Sequence, residues 1–182
     1  VEQGGHLVLT SRTGQKDREA HLWEAKFAEP IYNLLGIKEV FYDHMPETQW
    51  AKVTMGGQVF NWNNWADVLQ GAPAENVMAR YSDQFYKGEA AVVYRKLGKG
   101  TVTYIGPDTD DGKLEKEVVR KVYKNAGIPI LDLPEGVLVD WRDGFWIGLN
   151  YSSTNQVIPI PVGAQVLIGT KILPPAGVVI WR

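Results

Sequence analysis

Two spacings of apolar residues alternate along this chain, and the places where one gives way to the other mark its predicted elements. Val1-Glu2-Gln3-Gly4-Gly5 reads as the last turn of a helix with its glycine stop, and His6-Leu7-Val8-Leu9-Thr10 as an apolar strand. A chain that opens on the end of a helix is expected to be cut from something longer. A polar loop, Ser11-Arg12-Thr13-Gly14-Gln15-Lys16-Asp17, precedes a helical spacing over 18–35, where Leu22, Phe27, Ile31, Leu34 and Leu35 recur at three- and four-residue steps and Gly36 ends the run. Pro30 inside it predicts a break or a second short helix.

Strand patterns follow at 38–42 and 50–55, with Gly56-Gly57 as a hairpin signal before Gln58-Val59-Phe60. Asn61-Trp62-Asn63-Asn64-Trp65 leads into another extended piece at 66–69. Further strands are predicted at 77–81, 90–96 and 101–105, the last two joined by Leu97-Gly98-Lys99-Gly100. A helix capped by Asp110 or Asp111 runs to Asn125, with Leu114, Val118, Val119 and Val122 as its apolar stripe and Gly127 and Pro129 as its stop. From Pro134 the texture becomes short alternating strands at 136–141, 145–151, 156–159, 164–168 and 177–181, separated by turn residues. This tail is too short for a large core and is expected to pack on the part before it. The pattern thus divides the chain into an α/β domain, 1–131, and a small antiparallel all-β domain, 132–182.

Composition narrows the function. Hydrophobic residues at 45% and charged ones at 22% are the balance of a folded globular chain. A net charge of -2, with no run of Lys and Arg, removes the electrostatic case for nucleic acid. No apolar stretch approaches the ~20 residues that a membrane-spanning helix needs. The chain has no cysteine, which excludes thiolate chemistry and disulfides and is compatible with a reducing cytoplasm.

Candidate chemistry is sparse. His6, His21 and His44 share no metal-binding spacing. A glycosidase needs two carboxyl groups about 5–9 Å apart across the scissile bond. Here the acids (Asp17, Glu19, Asp108, Asp110, Asp111, Glu115, Glu117) fall mostly in polar stretches, where capping and solvation account for them. Asp108-Thr109-Asp110-Asp111 lacks the spacing of a calcium loop. Gly98-Lys99-Gly100 is a hairpin rather than a phosphate cradle, and no G-x-S-x-G elbow exists. No pattern calls for a cofactor. Trp50, Phe60, Trp62 and Trp65, interleaved with Asn61, Asn63 and Asn64, could stack a sugar; packing against a neighbouring domain or subunit explains the same residues.

Gly4-Gly5-His6-Leu7-Val8-Leu9-Thr10-Ser11-Arg12-Thr13-Gly14-Gln15-Lys16-Asp17 resembles the GG-x-LV-x-T-x-R-T-G-x-K-D segment of the trimerisation domain of glycoside hydrolase family 42 β-galactosidases. The resemblance continues through Leu34-Leu35-Gly36-Ile37, through Ala79-Arg80-Tyr81-Ser82-Asp83-Gln84-Phe85-Tyr86-Lys87-Gly88 and through Tyr104-Ile105-Gly106. It extends to Leu173-Pro174-Pro175-Ala176-Gly177 in the family's small C-terminal β domain. It implies a partial flavodoxin-like, class I glutamine amidotransferase-like domain, N-terminally truncated, followed by the β domain. It also implies self-association as a homotrimer. Hydrolysis of galactosides would belong to an absent (β/α) barrel that carries both catalytic glutamates, for which this chain has no counterpart, and amidotransferase activity would need a cysteine. A bacterial, cytoplasmic setting is expected. A doubly wound sheet without its early strands would expose an unpaired edge. For contacts, Arg12 offers a planar fork to a carboxylate partner, with a local Arg12–Asp17 pair as the alternative; Trp62 and Trp65 are the residues expected at a sugar or an interface.

Overall fold

The computed structural model describes residues 1–23, 26–109 and 112–182, and the chain divides into two units, 1–129 and 130–182.

The first unit is mostly sheet. β1 (His6–Thr10), β2 (Glu39–Asp43), β3 (Ala51–Met55), β4 (Gln58–Gln70), β5 (Val77–Tyr81), β6 (Ala90–Leu97), β7 (Gly100–Ile105) and β8 (Pro107–Thr109) form one sheet. Their order is β1-β7-β6-β5-β3-β4-β2, with β8 added to β4. β4 also meets β6 at Leu69 and Ala90. The pairings β3–β4, β4–β6, β6–β5 and β5–β3 therefore close a circuit, and the sheet curls around its own side chains. Inside lie Val53, Phe60, Trp62, Val68, Tyr81, Val92 and Ile105, covered by Leu114 and Val118 of the helix. A second cluster, with Ile31, Leu35, Val40, Leu69, Val93, Val102 and Tyr104, occupies the other face of β6 and β7. β7 is buried throughout because each of its faces meets a core.

The expected α/β balance is thus corrected towards β. Among the described strands, β1 with β7 is the one parallel pair and the other pairings are antiparallel. β1 pairs on one side only among the described residues. Residues 1–4 form a single turn closed by Gly4 N–H on the Val1 carbonyl (2.8 Å), not the end of a helix.

Residues 24 and 25 of the helix expected over 18–35 lie outside the described residues; among the described ones the helix is reduced to α1 (Tyr32–Leu35), entered through one tight turn at Glu29–Ile31. Two local features defeat the longer helix. Asp17 Oδ1 accepts the backbone N–H groups of Glu19 and His21, offering the chain a turn in place of helical hydrogen bonds. Ala20 and Ala28 take positive φ values of 66° and 55°. Pro30 stands at the start of this short helical piece, as its position predicts.

The extended pieces expected at 58–60 and 66–69 are parts of one strand, β4, which runs through Asn61–Trp65. Its two halves have different neighbours: Gln58–Trp62 pairs with β3, and Ala66–Gln70 with β2. Asn64 at φ 66° and a register shift against β8 make the bend between them.

α2 (Lys113–Asn125) buries Leu114, Val118 and Val122 of the predicted stripe, while Val119 is only partly buried. Its expected caps, Asp110 and Asp111, lie outside the described residues. Thr109 takes up the start of the helix from β8: its hydroxyl donates to Glu115 and accepts the Leu114 N–H, and Glu115 also accepts the Thr109 N–H (3.0 Å).

The second unit has a four-stranded antiparallel sheet, β12-β14-β10-β9, made from β9 (Val137–Arg142), β10 (Phe145–Asn150), β12 (Val166–Ile168) and β14 (Val178–Trp181). β11 (Gln156–Val157) pairs with β13 (Ile172–Leu173) beside it. The unit has its own small core of Ile158, Leu173, Val179 and Trp181. Asn150, 1% exposed, pins it: Nδ2 lies 2.8–3.0 Å from the carbonyl oxygens of Thr154, Leu173 and Pro174, and Oδ1 accepts from Ser152.

Gly106 tests the closure of the first unit. A Cβ there would stand 2.1 Å from the Asp67 carbonyl oxygen and 3.0 Å from that of Ala91. Gly106→Ala is expected to force β4 away from the turn after β7, at a cost of about 1–3 kcal/mol or more, read from urea unfolding.

Candidate functional site

The bend in β4 sets up the most organised polar group of the first unit. Beyond the bend, Trp65 and Asp67 alternate onto one face of the strand, and Asp67 is paired with Tyr42 of β2. Asp67 is fully buried. Its Oδ2 accepts the Tyr104 hydroxyl (2.7 Å) and the Arg12 backbone N–H (2.7 Å), and its Oδ1 accepts Trp65 Nε1–H (2.9 Å). Its own backbone is held by the Tyr81 hydroxyl on its carbonyl (2.8 Å) and by the Gly106 carbonyl on its N–H (2.9 Å). A buried carboxyl group is tolerable only when its acceptors are filled, and three donors from three segments do so here.

The consequence reaches the loop after β1. With its N–H committed to Asp67, Arg12 sits at φ 68°, a conformation uncommon for a residue with a side chain. Its guanidinium lies over the Trp65 ring, 4.2 Å from the centroid, and the Tyr42 ring stacks on the same indole at 4.4 Å and 11°. Beside them is a shallow cavity of about 490 Å³ lined by Arg12, Gly14, Gln15, Lys16 and Trp65. Gln15 Nε2 is buried without a hydrogen-bond partner.

The expected contact residues therefore separate. Arg12 and Trp65 are brought together. Asp17 faces its own turn, binding the Glu19 and His21 amides in place of Arg12. Trp62 is 0% exposed and packs edge-on to Tyr81 inside the closed circuit, so it offers no ring to solvent. Trp65 already carries Tyr42 and Arg12 on its ring, which leaves Trp50, 48% exposed, as the open indole of that stretch. His6 Nδ1 is 2.8 Å from Thr101 Oγ1, and His44 donates its N–H to Asp43. Among the described residues no group of three or more His, Asp or Glu stands close enough to hold a metal ion.

Asp67 and Tyr104 are the central residues that sequence reasoning passed over. The signal was present: Asp67 is a lone acid flanked directly by the apolar Trp65-Ala66 and Val68-Leu69.

Burial raises the Tyr104 hydroxyl well above its ordinary value near 10, and the Asp67 charge and hydrogen bond add to this; a backbone contact with Thr13 acts weakly the other way. Burial, then Asp67, raises Tyr81 in the same direction, and burial with the Asp43 hydrogen bond raises Tyr86.

Residues 1–129 match the family model of the β-galactosidase trimerisation domain, and residues 137–182 that of the β-galactosidase C-terminal domain. The chain belongs to this family, the glycoside hydrolase family 42 β-galactosidases, as their trimerisation and C-terminal domains. It is 30% identical to a β-galactosidase of Haloferax lucentense over 93% of this chain and 25% of that protein, and 27% identical to one of Geobacillus over 88% and 24%. Among solved structures, a β-galactosidase from Rahnella matches at a TM-score of 0.80 with 27% identity, over 100% of this chain and 29% of that one. One from Halorubrum lacusprofundi shares the fold at a TM-score of 0.84 and 24% identity, over 100% and 28%. The chain thus spans about a quarter of the length of the relatives it matches.

Two outcomes follow from this geometry. Trp62→Ala is expected to cost about 3–5 kcal/mol in urea unfolding, where a surface indole would leave stability nearly unchanged. Because the folded chain holds the Tyr81, Tyr86 and Tyr104 protons more tightly than the unfolded chain, their stabilisation is complete below about pH 10 and lost as pH rises beyond it. Tyr104→Phe should make that alkaline loss shallower while costing about 1–3 kcal/mol at neutral pH, since Asp67 loses a donor.

Proposed function

We propose that this chain is the non-catalytic assembly and accessory region of a bacterial, cytoplasmic β-galactosidase that hydrolyses terminal β-galactosides through a (β/α) barrel elsewhere in the protein. The match of residues 1–129 to a domain described by its role in trimerisation carries this reading. Each of the relatives above is a β-galactosidase by name and is about four times as long, which leaves room for a separate catalytic part. Three of its acids are engaged in local structure: Asp17 in a turn, Asp67 in the core and Glu115 at the start of a helix.

The trimerisation domain takes residues 1–131 and the C-terminal domain 132–182. A flavodoxin-like, amidotransferase-like relationship of the first is supported by the parallel pairing of β1 with β7 alone. Arg12, Asp17 and Trp65 form the contact region in this reading: Asp17 shapes the turn, Asp67 sets the backbone of Arg12, and Trp65 carries the guanidinium. Trp62 supports the face from within.

Sedimentation of the chain across a range of concentrations tests the proposal. A species of three times the 20.4 kDa chain mass is expected, with no turnover of a chromogenic β-galactoside. A monomer at every concentration would overturn the assembly role, and turnover would overturn the non-catalytic one.

A further inference from the structure

We propose that the notch beside Trp65 is a carboxylate-binding site, filled by an Asp or Glu side chain of a second copy of this chain. The choice of occupant rests on the self-association proposed above; the chemistry of the notch does not.

The side chains that line the notch offer donors in excess of acceptors. Arg12 Cζ lies over the indole, and among the described residues no hydrogen bond engages its guanidinium N–H groups. Among the described residues no carboxylate lies within ion-pair distance of Arg12 or Lys16. Gln15 Nε2 adds a buried amide donor with nothing to donate to. The negative group nearby, Asp67, is turned inward and takes three donors of its own. Two cations, one planar and forked, at the rim of one cavity match an ionised carboxyl group, which accepts through both oxygens.

The site is also prepared before anything binds. The Arg12 backbone is set by its hydrogen bond to Asp67, and its side chain by the ring beneath it, so little rotamer freedom is left to lose on binding. A second copy suits the notch because a closed three-fold assembly joins unlike surfaces of neighbouring chains. A donor-rich notch on one chain can then meet an acid on another part of the next.

The test compares the full chain with Arg12→Gln and Lys16→Gln by sedimentation at fixed ionic strength. In parallel, the NMR signals of Arg12 Nε–H and Trp65 Nε1–H are followed while succinate, or inorganic phosphate, is added. The expected result is association weakened roughly tenfold or more in each variant, near-ultraviolet circular dichroism unchanged in Lys16→Gln, and both signals of the unsubstituted chain shifted by succinate beyond the effect of phosphate. Lys16 is exposed, so its variant keeps the test sound even if Arg12→Gln disturbs the loop. Association unchanged in both variants overturns the proposal and leaves self-association standing. If the chain is monomeric, the second copy falls as the occupant; a succinate shift then upholds the carboxylate chemistry, and no shift overturns that too. Equal shifts by phosphate and succinate overturn the assignment to carboxylates.

Discussion

Inside the first unit, the carboxyl group of Asp67 accepts hydrogen bonds from Arg12, Trp65 and Tyr104, while the Asp67 backbone holds Tyr81 and Gly106. These contacts tie the loop after β1 to β4, β5 and β7. An unpartnered carboxyl at this depth would cost more than the net stability of many domains allows. The closed sheet and the filled acceptors therefore depend on each other: the circuit removes water from Asp67, and the donors make that removal tolerable. Gly106 belongs to the same constraint, because only a residue without Cβ lets the strand approach the Asp67 carbonyl so closely.

From that interior group the effect passes outward to the surface. Arg12 keeps a left-handed backbone because its N–H has a fixed acceptor, and its guanidinium lies on Trp65 because the indole N–H is fixed by the same carboxyl. A surface loop that would ordinarily be mobile is thus held by buried chemistry. That is a suitable basis for an assembly region, where a rigid contact loses less entropy on association than a flexible one. The second unit uses the same device on a smaller scale: Asn150 gathers the carbonyl groups of two chain segments around one buried amide.

Much of the fold was legible from spacing alone. The strand at Val77–Tyr81, the hairpin of β6 and β7, and the apolar stripe of Leu114, Val118 and Val122 stand where the pattern placed them. Each is a regular run with clear turn residues at its ends, so local preference and burial agree. The stretch before Leu35 misled because Leu22, Phe27 and Ile31 carry a helical period, while Asp17, Ala20 and Ala28 set the backbone against it. The bend at Asn64 was hidden for another reason: either half of β4 reads as a strand, and only its pairing with different neighbours makes them one.

What the sequence determined by itself was the family, through the motif from Gly4 to Asp17, together with the two textures of the chain and the absence of thiolate chemistry. The tertiary structure alone decided which aromatic rings face inward and which charged side chains act together. Trp62 and Trp65 are three residues apart in similar surroundings, yet one fills the core and the other carries Arg12. Residues three apart in a strand point to opposite faces, and Phe60, Trp62, Ala66 and Val68 share the closed core on one of them; which face is closed over depends on pairings with strands far away in the chain. Asp67 stands out in the sequence as an acid between apolar neighbours, but its partners do not: closure of the sheet brings Arg12 and Tyr104 to it across 55 and 37 positions. Local preference can specify an element, but a contact over such separations exists only once the whole sheet has closed.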